Sequence, residues 1–177
     1  MITLAYRMMG AILLDRGTFE SVENQRSTGP QAILVVLMSS LAAGVGASGL
    51  PGPRIFNLLV VAGVAVATWL AWASLILYVG GVAMRAPDTR VDYGQLARTI
   101  GFAAAPGLFQ IFGLFTSISI PVFVVAWVWM LAAMVVAVRQ ALDFSSTWRA
   151  VGVCTVTLAL VLATTAAIGL ALQRTVA

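Results

Sequence analysis

The chain contains five apolar segments, and each is long enough to cross a lipid bilayer as a helix. They are residues 30–50, 55–84, 96–115, 118–138 and 150–172. About 20 helical residues cross the ~30 Å hydrocarbon layer of a membrane, and backbone groups in lipid must find their partners within the protein. The pattern predicts an all-α membrane protein. We expect a bundle of five transmembrane helices in residues 30–177, behind an N-terminal segment of residues 1–29.

The composition agrees with a membrane protein. Of the 177 residues, 61% are hydrophobic and 9% are charged, whereas soluble domains carry about 25% charged residues. The net charge of +4 comes from ten arginines spread along the chain, with no lysine among the basic residues. Scattered arginines do not form the basic stripe that binds nucleic acid. We therefore expect the lipid bilayer, and no nucleic acid, as a partner.

The arginines fall mostly on one side of the predicted membrane. Eight of the ten precede the first segment, lie between the second and third or at the start of the third, or lie between the fourth and fifth; the other two are Arg54 and Arg174. Loops rich in arginine stay in the cytoplasm. We expect a multi-pass protein of the cytoplasmic (cell inner) membrane, with its N-terminus in the cytoplasm and its C-terminus outside.

The inventory of reactive side chains argues against catalysis. The chain has no histidine and one cysteine, Cys154, so it lacks the commonest metal ligand and general base and cannot form a disulfide within itself. We expect no enzyme activity and no catalytic, metal or cofactor site. Tryptophans inside the segments are expected to fill gaps against lipid or neighbouring helices, and stacking on a pigment or quinone is the alternative; they are Trp69, Trp72, Trp127 and Trp129.

The N-terminal segment has the pattern of an amphipathic helix. Its apolar residues fall near one helical face and are Leu4, Met8, Ile12 and Leu13. Such a helix lies in the membrane interface with its apolar face in the lipid. We predict an interfacial helix on the cytoplasmic side, and the alternative is a docking helix for a soluble partner.

The third segment holds a proline and a glutamine where lipid tolerates them least. Pro106 has no N–H to donate to the carbonyl of Phe102, so the helix is expected to kink there. Gln110 lies one turn further on roughly the same face. We predict a packing or partner site at Gly101, Phe102, Pro106 and Gln110, in which the kinked helix lies tightly against its neighbours and the glutamine amide is bonded across the interface. The alternative is a site for a small molecule or an ion.

Small residues recur at every fourth position of the fifth segment. They are Thr155, Ala159, Ala163, Ala167 and Ala171. Small side chains on one face let two transmembrane helices approach closely. The sequence predicts a helix-packing ladder within the bundle, and the alternative is an interface for a homo-oligomer or a partner protein.

Three stretches resemble the Yip family, the Ypt/Rab-interacting membrane proteins. Residues 101–106, GFAAAP, look like the glycine-aromatic-x-x-x-proline signature that opens the third span of that family, and residues 13–32 and 128–151 resemble bacterial members. The resemblance implies five spans, a cytoplasmic N-terminus and a non-enzymatic membrane role. Eukaryotic members contact prenylated Rab GTPases through a longer N-terminal region with an aspartate-leucine-x-glycine-proline motif, which this sequence lacks.

Together these features predict a membrane protein that organises or scaffolds other membrane components. An accessory subunit of a larger membrane assembly, such as an energy-converting complex, is a variant of this function. The alternative function is a small-solute transporter or channel, whose polar site would consist of Gln110 with Ser39, Ser40 and Asn57.

Overall fold

A computed structural model describes residues 2–46, 54–84, 92–115 and 118–176, with side chains described for residues 3–46, 63–84, 92–115 and 118–167. Every regular element that these residues form is helical, which confirms the predicted all-α class. The α-helices are α1 (Ile2–Ile12), α2 (Arg16–Asn24), α3 (Gly29–Gly46), α4 (Arg54–Tyr78), α5 (Tyr93–Ala103), α6 (Ser119–Ala141) and α7 (Thr147–Val176). A 3₁₀ turn (Arg26–Thr28) precedes α3, a π-helical stretch (Val79–Ala83) extends α4, and a 3₁₀-helix (Ala105–Leu114) follows α5.

Four helical stretches are long and apolar enough to cross a membrane. They are Arg26–Gly46, Gly63–Ala83, Ser119–Ala141 and Thr147–Ala167. They correspond to the first, second, fourth and fifth predicted segments, so the chain is a multi-pass membrane protein. Residues 47–50, at the end of the first predicted segment, lie outside the described residues.

The third predicted segment is not the kinked α-helix that the sequence led us to expect. The α-helix α5 ends at Ala103, and the chain continues as a 3₁₀-helix. Pro106 cannot donate a hydrogen bond, and its ring crowds the carbonyl four residues earlier. The backbone instead bonds residues three apart, with the N–H of Gly107 donating to the carbonyl oxygen of Ala104 at 2.9 Å. At 1.5 Å and 2.0 Å per residue, α5 and the 3₁₀-helix together rise about 36 Å.

The buried core lies toward the end of the bundle where α3, α5 and α7 begin and where α4 and α6 end. This end is named the arginine end, because Arg26, Arg139 and Arg149 flank it. One group of buried side chains joins α4, α5, α6 and α7, and includes Ile76, Leu96, Leu142 and Val153. A second group joins α1, α2, α3, α5 and α6, and includes Phe19, Val22, Val35 and Phe102.

Helices α1 and α2 form a tight hairpin. Leu14 adopts the left-handed conformation, with φ at 60°. The N–H groups of Leu14 and Asp15 donate to the carbonyls of Ala11 (3.2 Å) and Gly10 (2.9 Å), which is the Schellman way of ending a helix. Asp15 then caps α2, because its carboxylate accepts from the N–H of Thr18 at 2.9 Å and from the Thr18 hydroxyl at 2.7 Å. The turn between the two helices is therefore fixed by local hydrogen bonds.

The hairpin packs on the bundle. Phe19 and Val22 of α2 are completely buried, and Leu4, Met8 and Ile12 of α1 are half-buried against the same core. The fourth residue that we placed on this apolar face, Leu13, is instead 69% exposed. The reason is that α1 ends at Ile12, so Leu13 already belongs to the turn.

Candidate functional site

The 3₁₀-helix after α5 matches a three-residue repeat in its sequence. Residues 107–115 read GLF, QIF and GLF in succession. A 3₁₀-helix has 3.0 residues per turn, so every third residue lies on the same face. The ten residues of this helix exceed the three or four at which most such helices end. The repeat therefore gives an unusually long 3₁₀-helix one consistent face for packing and another for exposure.

The packing face consists of Gly107, Gln110 and Gly113, which are all buried. It lies against α3 and α6. A Cβ atom added to Gly113 would lie 2.5 Å from Cε2 of Phe123, and one added to Gly46 would collide with the carbonyl oxygen of Gln110. The backbones of α3 and the 3₁₀-helix therefore touch, and the glycines are what permits the contact.

Ser39 of α3 holds the start of the 3₁₀-helix. Its hydroxyl donates to the carbonyl oxygen of Ala104 at 2.6 Å, and a Cβ atom on Gly107 would collide with that same hydroxyl. The contact uses a polar side chain to join two backbones. Four residues were predicted as the polar site of a transporter. The Ser39 hydroxyl is used in this hydrogen bond, and Gln110 is buried, with 5% of its surface exposed. Ser40 is half-buried, and the side chain of Asn57 lies outside the described part of the chain.

The exposed face of the 3₁₀-helix carries three phenylalanines, Phe109, Phe112 and Phe115. Phe109 stacks on Phe112 with ring centroids 6.3 Å apart, and on Trp129 of α6 with centroids 5.5 Å apart. With the first half of α6, two of these phenylalanines enclose an apolar groove of about 320 Å³. Its lining residues are Phe109, Phe112, Pro121, Val122, Val125, Ala126 and Trp129. The groove can accept an apolar chain.

Trp129 connects this groove to the N-terminal hairpin. Its ring lines the groove, while its indole N–H donates to the carbonyl oxygen of Ile12 at 2.7 Å. The carbonyls at the end of an α-helix lack partners within the helix, so Trp129 satisfies one at the end of α1. Trp69 also bonds across the bundle, since its N–H donates to the carbonyl oxygen of Ala97 within α5 at 3.1 Å.

The four residues predicted as a packing or partner site all lie inside the chain's own core. Phe102 and Gln110 are 0% and 5% exposed, and Gly101 and Pro106 are also buried. A Cβ atom on Gly101 would lie 2.8 Å from Cβ of Ala32 and 3.3 Å from the Trp69 ring. These residues therefore hold α5 and the 3₁₀-helix against α3 and α4, and burial keeps them from an outside partner.

The ladder predicted on the last helix does not pack within the described bundle. Thr155, Ala159, Ala163 and Ala167 are all exposed, and the side chain of Ala171 lies outside the described residues. The buried residues of α7 are Ala150, Val153, Cys154 and Thr157. The ladder is offset by one position from this buried face, as Thr155 follows Cys154. Successive residues of an α-helix are about 100° apart around its axis. The ladder therefore points away from the bundle.

Charged groups meet where α2 ends near the arginine end. The guanidinium of Arg98 donates to the carbonyl oxygen of Glu23 at 2.6 Å, which neutralises the negative end of α2. Burial raises the pKa of the Glu23 carboxyl, the nearby Asp143 carboxylate adds to the rise, and a hydrogen bond from Gln140 opposes it. The contact ties the hairpin to both α5 and α6.

Sequence reasoning missed the aromatic groove and the hydrogen bond between Trp129 and Ile12. The signal for the groove was present, because the GLF-QIF-GLF repeat has the period of a 3₁₀-helix and places its phenylalanines on one face. No local pattern could reveal the hydrogen bond, since its two residues are 117 positions apart in the chain.

Comparison with known proteins agrees with the resemblance in the sequence. The family model of the Yip1 domain matches residues 9–168, from within α1 to near the end of α7. Neither the curated proteins nor the solved structures contain a significant match. The model covers the turn and second helix of the hairpin, the GFAAAP stretch and all four apolar spans. The chain is therefore a member of the Yip1-domain family of membrane proteins.

Proposed function

We propose that this protein is a non-enzymatic component of the cytoplasmic membrane that holds other membrane proteins, as a scaffold or as an accessory subunit of a larger assembly. The observation that supports this proposal is the second half of the apolar span in α7, residues 159–167. Eight of its nine residues are exposed in the bundle and Val161 is half-buried, with Ala159 and Ala163 of the ladder among the exposed ones. Small residues on a membrane helix favour close contact with a second helix.

The polar side chains within residues 159–167 are those of Thr164 and Thr165, and both hydroxyls form hydrogen bonds to the backbone of α7. Thr164 donates to the carbonyl oxygen of Leu160 at 2.9 Å, and Thr165 donates to that of Val161 at 2.6 Å. Threonines bonded to their own helix are tolerated in lipid. The ladder is therefore stable when exposed and remains available to a partner helix.

The same proposal includes five membrane crossings, with the N-terminus in the cytoplasm. The rise of about 36 Å along α5 and the 3₁₀-helix exceeds the ~30 Å of a hydrocarbon layer. A reporter that is active only outside the cytoplasm should be active when fused after Ala177 and inactive when inserted within residues 85–98. The reverse result would contradict the orientation, and activity at both sites or at neither would contradict an odd number of crossings.

Photo-crosslinking in native membranes tests the partner surface. In a Cys154→Ala background, Ala163→Cys or Thr165→Cys is labelled with a benzophenone maleimide and illuminated, and protein adducts are separated by size and identified by mass. These two positions lie about 200° apart around the helix, so Thr165→Cys is a matched control on another face. We expect a discrete protein adduct from Ala163→Cys at a yield several-fold above that from Thr165→Cys.

The result also tells which partner is held. An adduct of two identical chains would establish a homo-oligomer, and an adduct with a second protein would identify a member of a larger assembly. Equal yields at both positions, or adducts with lipid alone, would refute the proposal that the ladder holds another protein.

A further inference from the structure

The hairpin of α1 and α2, here called the N-terminal hairpin, extends along α6. Near the arginine end, the Glu23 carboxylate at the end of α2 accepts a hydrogen bond from Gln140. At the other end of the hairpin, the carbonyl oxygen of Ile12 accepts from Trp129 at 2.7 Å. Trp129 and Gln140 are eleven residues apart on α6, which is a rise of about 16 Å. The hairpin therefore points its turn away from the arginine end.

The turn of the hairpin lies beside the middle of a membrane span. Trp129 is the eleventh of the 23 residues of α6, which is the most apolar of the four spans, with a mean hydropathy of 2.4. Ala11, next to Ile12, is completely buried in the same cluster as Ala105 of the 3₁₀-helix and Ala133 of α6. The hydrogen bond to Trp129 and the shared buried cluster together place the turn near the middle of α6.

The two outer faces of the hairpin differ in polarity. The exposed residues of α1 and the turn include Tyr6, Met9 and Leu13, at 74%, 57% and 69% exposure, and these side chains suit lipid. The exposed residues of α2 are polar or charged, apart from a glycine: Arg16, Gly17, Glu20 and Asn24. The hairpin therefore has a face for lipid on α1 and a face for water on α2.

The turn also carries charge at this depth. The Asp15 carboxylate accepts hydrogen bonds from the hydroxyl of Thr18 at 2.7 Å and from the N–H of Thr18 at 2.9 Å. The neighbouring Arg16 is exposed and forms no hydrogen bond or ion pair with any residue that the structure describes. Charges are costly at the centre of a bilayer unless water and headgroups reach them or the bilayer thins locally.

We propose that the N-terminal hairpin is re-entrant, and that its polar α2 face brings water and phospholipid headgroups from the leaflet at the arginine end down to Arg16. The guanidinium of Arg16 is the group that meets a lipid phosphate there, because arginine binds phosphate through paired N–H donors. The bilayer is consequently thinned beside α2, while α1 faces ordinary lipid. This inference concerns a different surface from α7 and does not depend on the function proposed for that helix.

Depth and water access measured together test the re-entrant hairpin. In a Cys154→Ala background, a fluorophore is attached to Gly17→Cys at the turn, Asn24→Cys at the other end of α2, or Leu13→Cys on the lipid face. Gly17 accepts a side chain, because a Cβ atom there would meet only the Asp15 carboxylate oxygens, at 3.6 and 3.8 Å. The full chain is reconstituted into vesicles of phosphatidylcholine and phosphatidylglycerol. Quenching is then compared between lipids with nitroxides at different depths and a water-soluble quencher.

We expect the label on Gly17→Cys to be quenched most by nitroxides deep in the acyl chains, yet to remain as accessible to the water-soluble quencher as the label on Asn24→Cys. The label on Leu13→Cys should be equally deep but several-fold less accessible to the aqueous quencher. If the Gly17→Cys label is as shallow as the Asn24→Cys label, the hairpin is not re-entrant. If it is deep but shielded from water, no headgroups follow α2, and the inference is overturned.

A second measurement tests the phosphate contact of Arg16. Phospholipid phosphorus that stays with the detergent-purified protein is measured for the parent, for Arg16→Gln and for Arg26→Gln, a control that removes an exposed arginine outside the hairpin. We expect a clearly larger loss of bound phosphorus for Arg16→Gln than for Arg26→Gln. Equal retention by the three proteins, or an equal loss in the two variants, would refute the role of Arg16.

Discussion

Gly107 is a position at which a single added methyl group should destabilise the bundle measurably. The substitution Gly107→Ala adds one methyl group, and that methyl would collide with the hydroxyl of Ser39 and lie 2.9 Å from the Met130 sulfur. The Met130 side chain can move, but Ser39 is held by its hydrogen bond to the carbonyl of Ala104. The added methyl must therefore break this hydrogen bond or push α3 away from the 3₁₀-helix.

The expected cost follows from three terms. Overpacking a well-packed interior costs about 1–3 kcal/mol, and the lost hydrogen bond about 1 kcal/mol more. Replacing glycine by alanine restricts the unfolded chain, which returns about 0.4–1 kcal/mol. We expect Gly107→Ala to lower the free energy of unfolding by about 1–3.5 kcal/mol in sum. The apparent melting temperature in detergent, followed by loss of the monodisperse peak in size-exclusion chromatography, measures the effect.

Two further variants make the Gly107 experiment specific. Gly44→Ala is the matched control, because a Cβ atom there meets nothing within 4 Å, and alanine in an α-helix is favoured over glycine by up to about 1 kcal/mol. The double variant Ser39→Ala with Gly107→Ala removes the obstructing hydroxyl, so it should be no less stable than Ser39→Ala alone. The reasoning is refuted if Gly107→Ala melts at or above the temperature of Gly44→Ala.

Three other predictions concern the interior, the arginine end and pH. Gln110→Leu should change the stability of the bundle and leave solute uptake by reconstituted vesicles unchanged; uptake that is abolished in a folded variant would instead support a transporter. The Arg139 guanidinium donates to three groups, the carbonyls of Phe144 and Ser145 and the Thr147 hydroxyl. A lysine ammonium cannot reach all three, so Arg139→Lys should lower the free energy of unfolding by about 1 kcal/mol. Arg149→Lys is the control, and equal melting temperatures of the two variants would contradict this role of Arg139. Because the pKa of Glu23 is raised, its carboxyl binds a proton more readily in the folded state than in the unfolded state. Ionisation of the Glu23 carboxyl therefore destabilises the fold as pH rises above the ordinary pKa of 4.5. Glu23→Gln should therefore gain in melting temperature relative to the parent as pH increases through that range, and a difference independent of pH would contradict the assignment.

The sequence by itself determined the class of the protein and most of its membrane spans. Hydropathy alone places α3, α4, α6 and α7, because about 20 apolar residues in lipid must form a helix to pair their own backbone groups. Pro106 marked where regular α-helix fails, since the missing N–H is a local property of that residue. The three-residue repeat in residues 107–115 also encodes the 3₁₀-helix that follows, although only a period of three, and not the helical period of 3.6, reveals it.

Only the tertiary structure decided which faces of these helices are used. The ladder beginning at Thr155 has the spacing of a packing face, yet α7 turns Val153, Cys154 and Thr157 toward the bundle. A small residue does not carry information about the direction of its neighbour, so the pattern could not settle this choice. The position of the N-terminal hairpin is similar, because the amphipathic pattern of α1 fits either the membrane surface or a groove in the protein. The hydrogen bond from Trp129 to Ile12 joins residues 117 positions apart, and such a contact exists only after α6 and the 3₁₀-helix have packed to form the surface against which α1 lies.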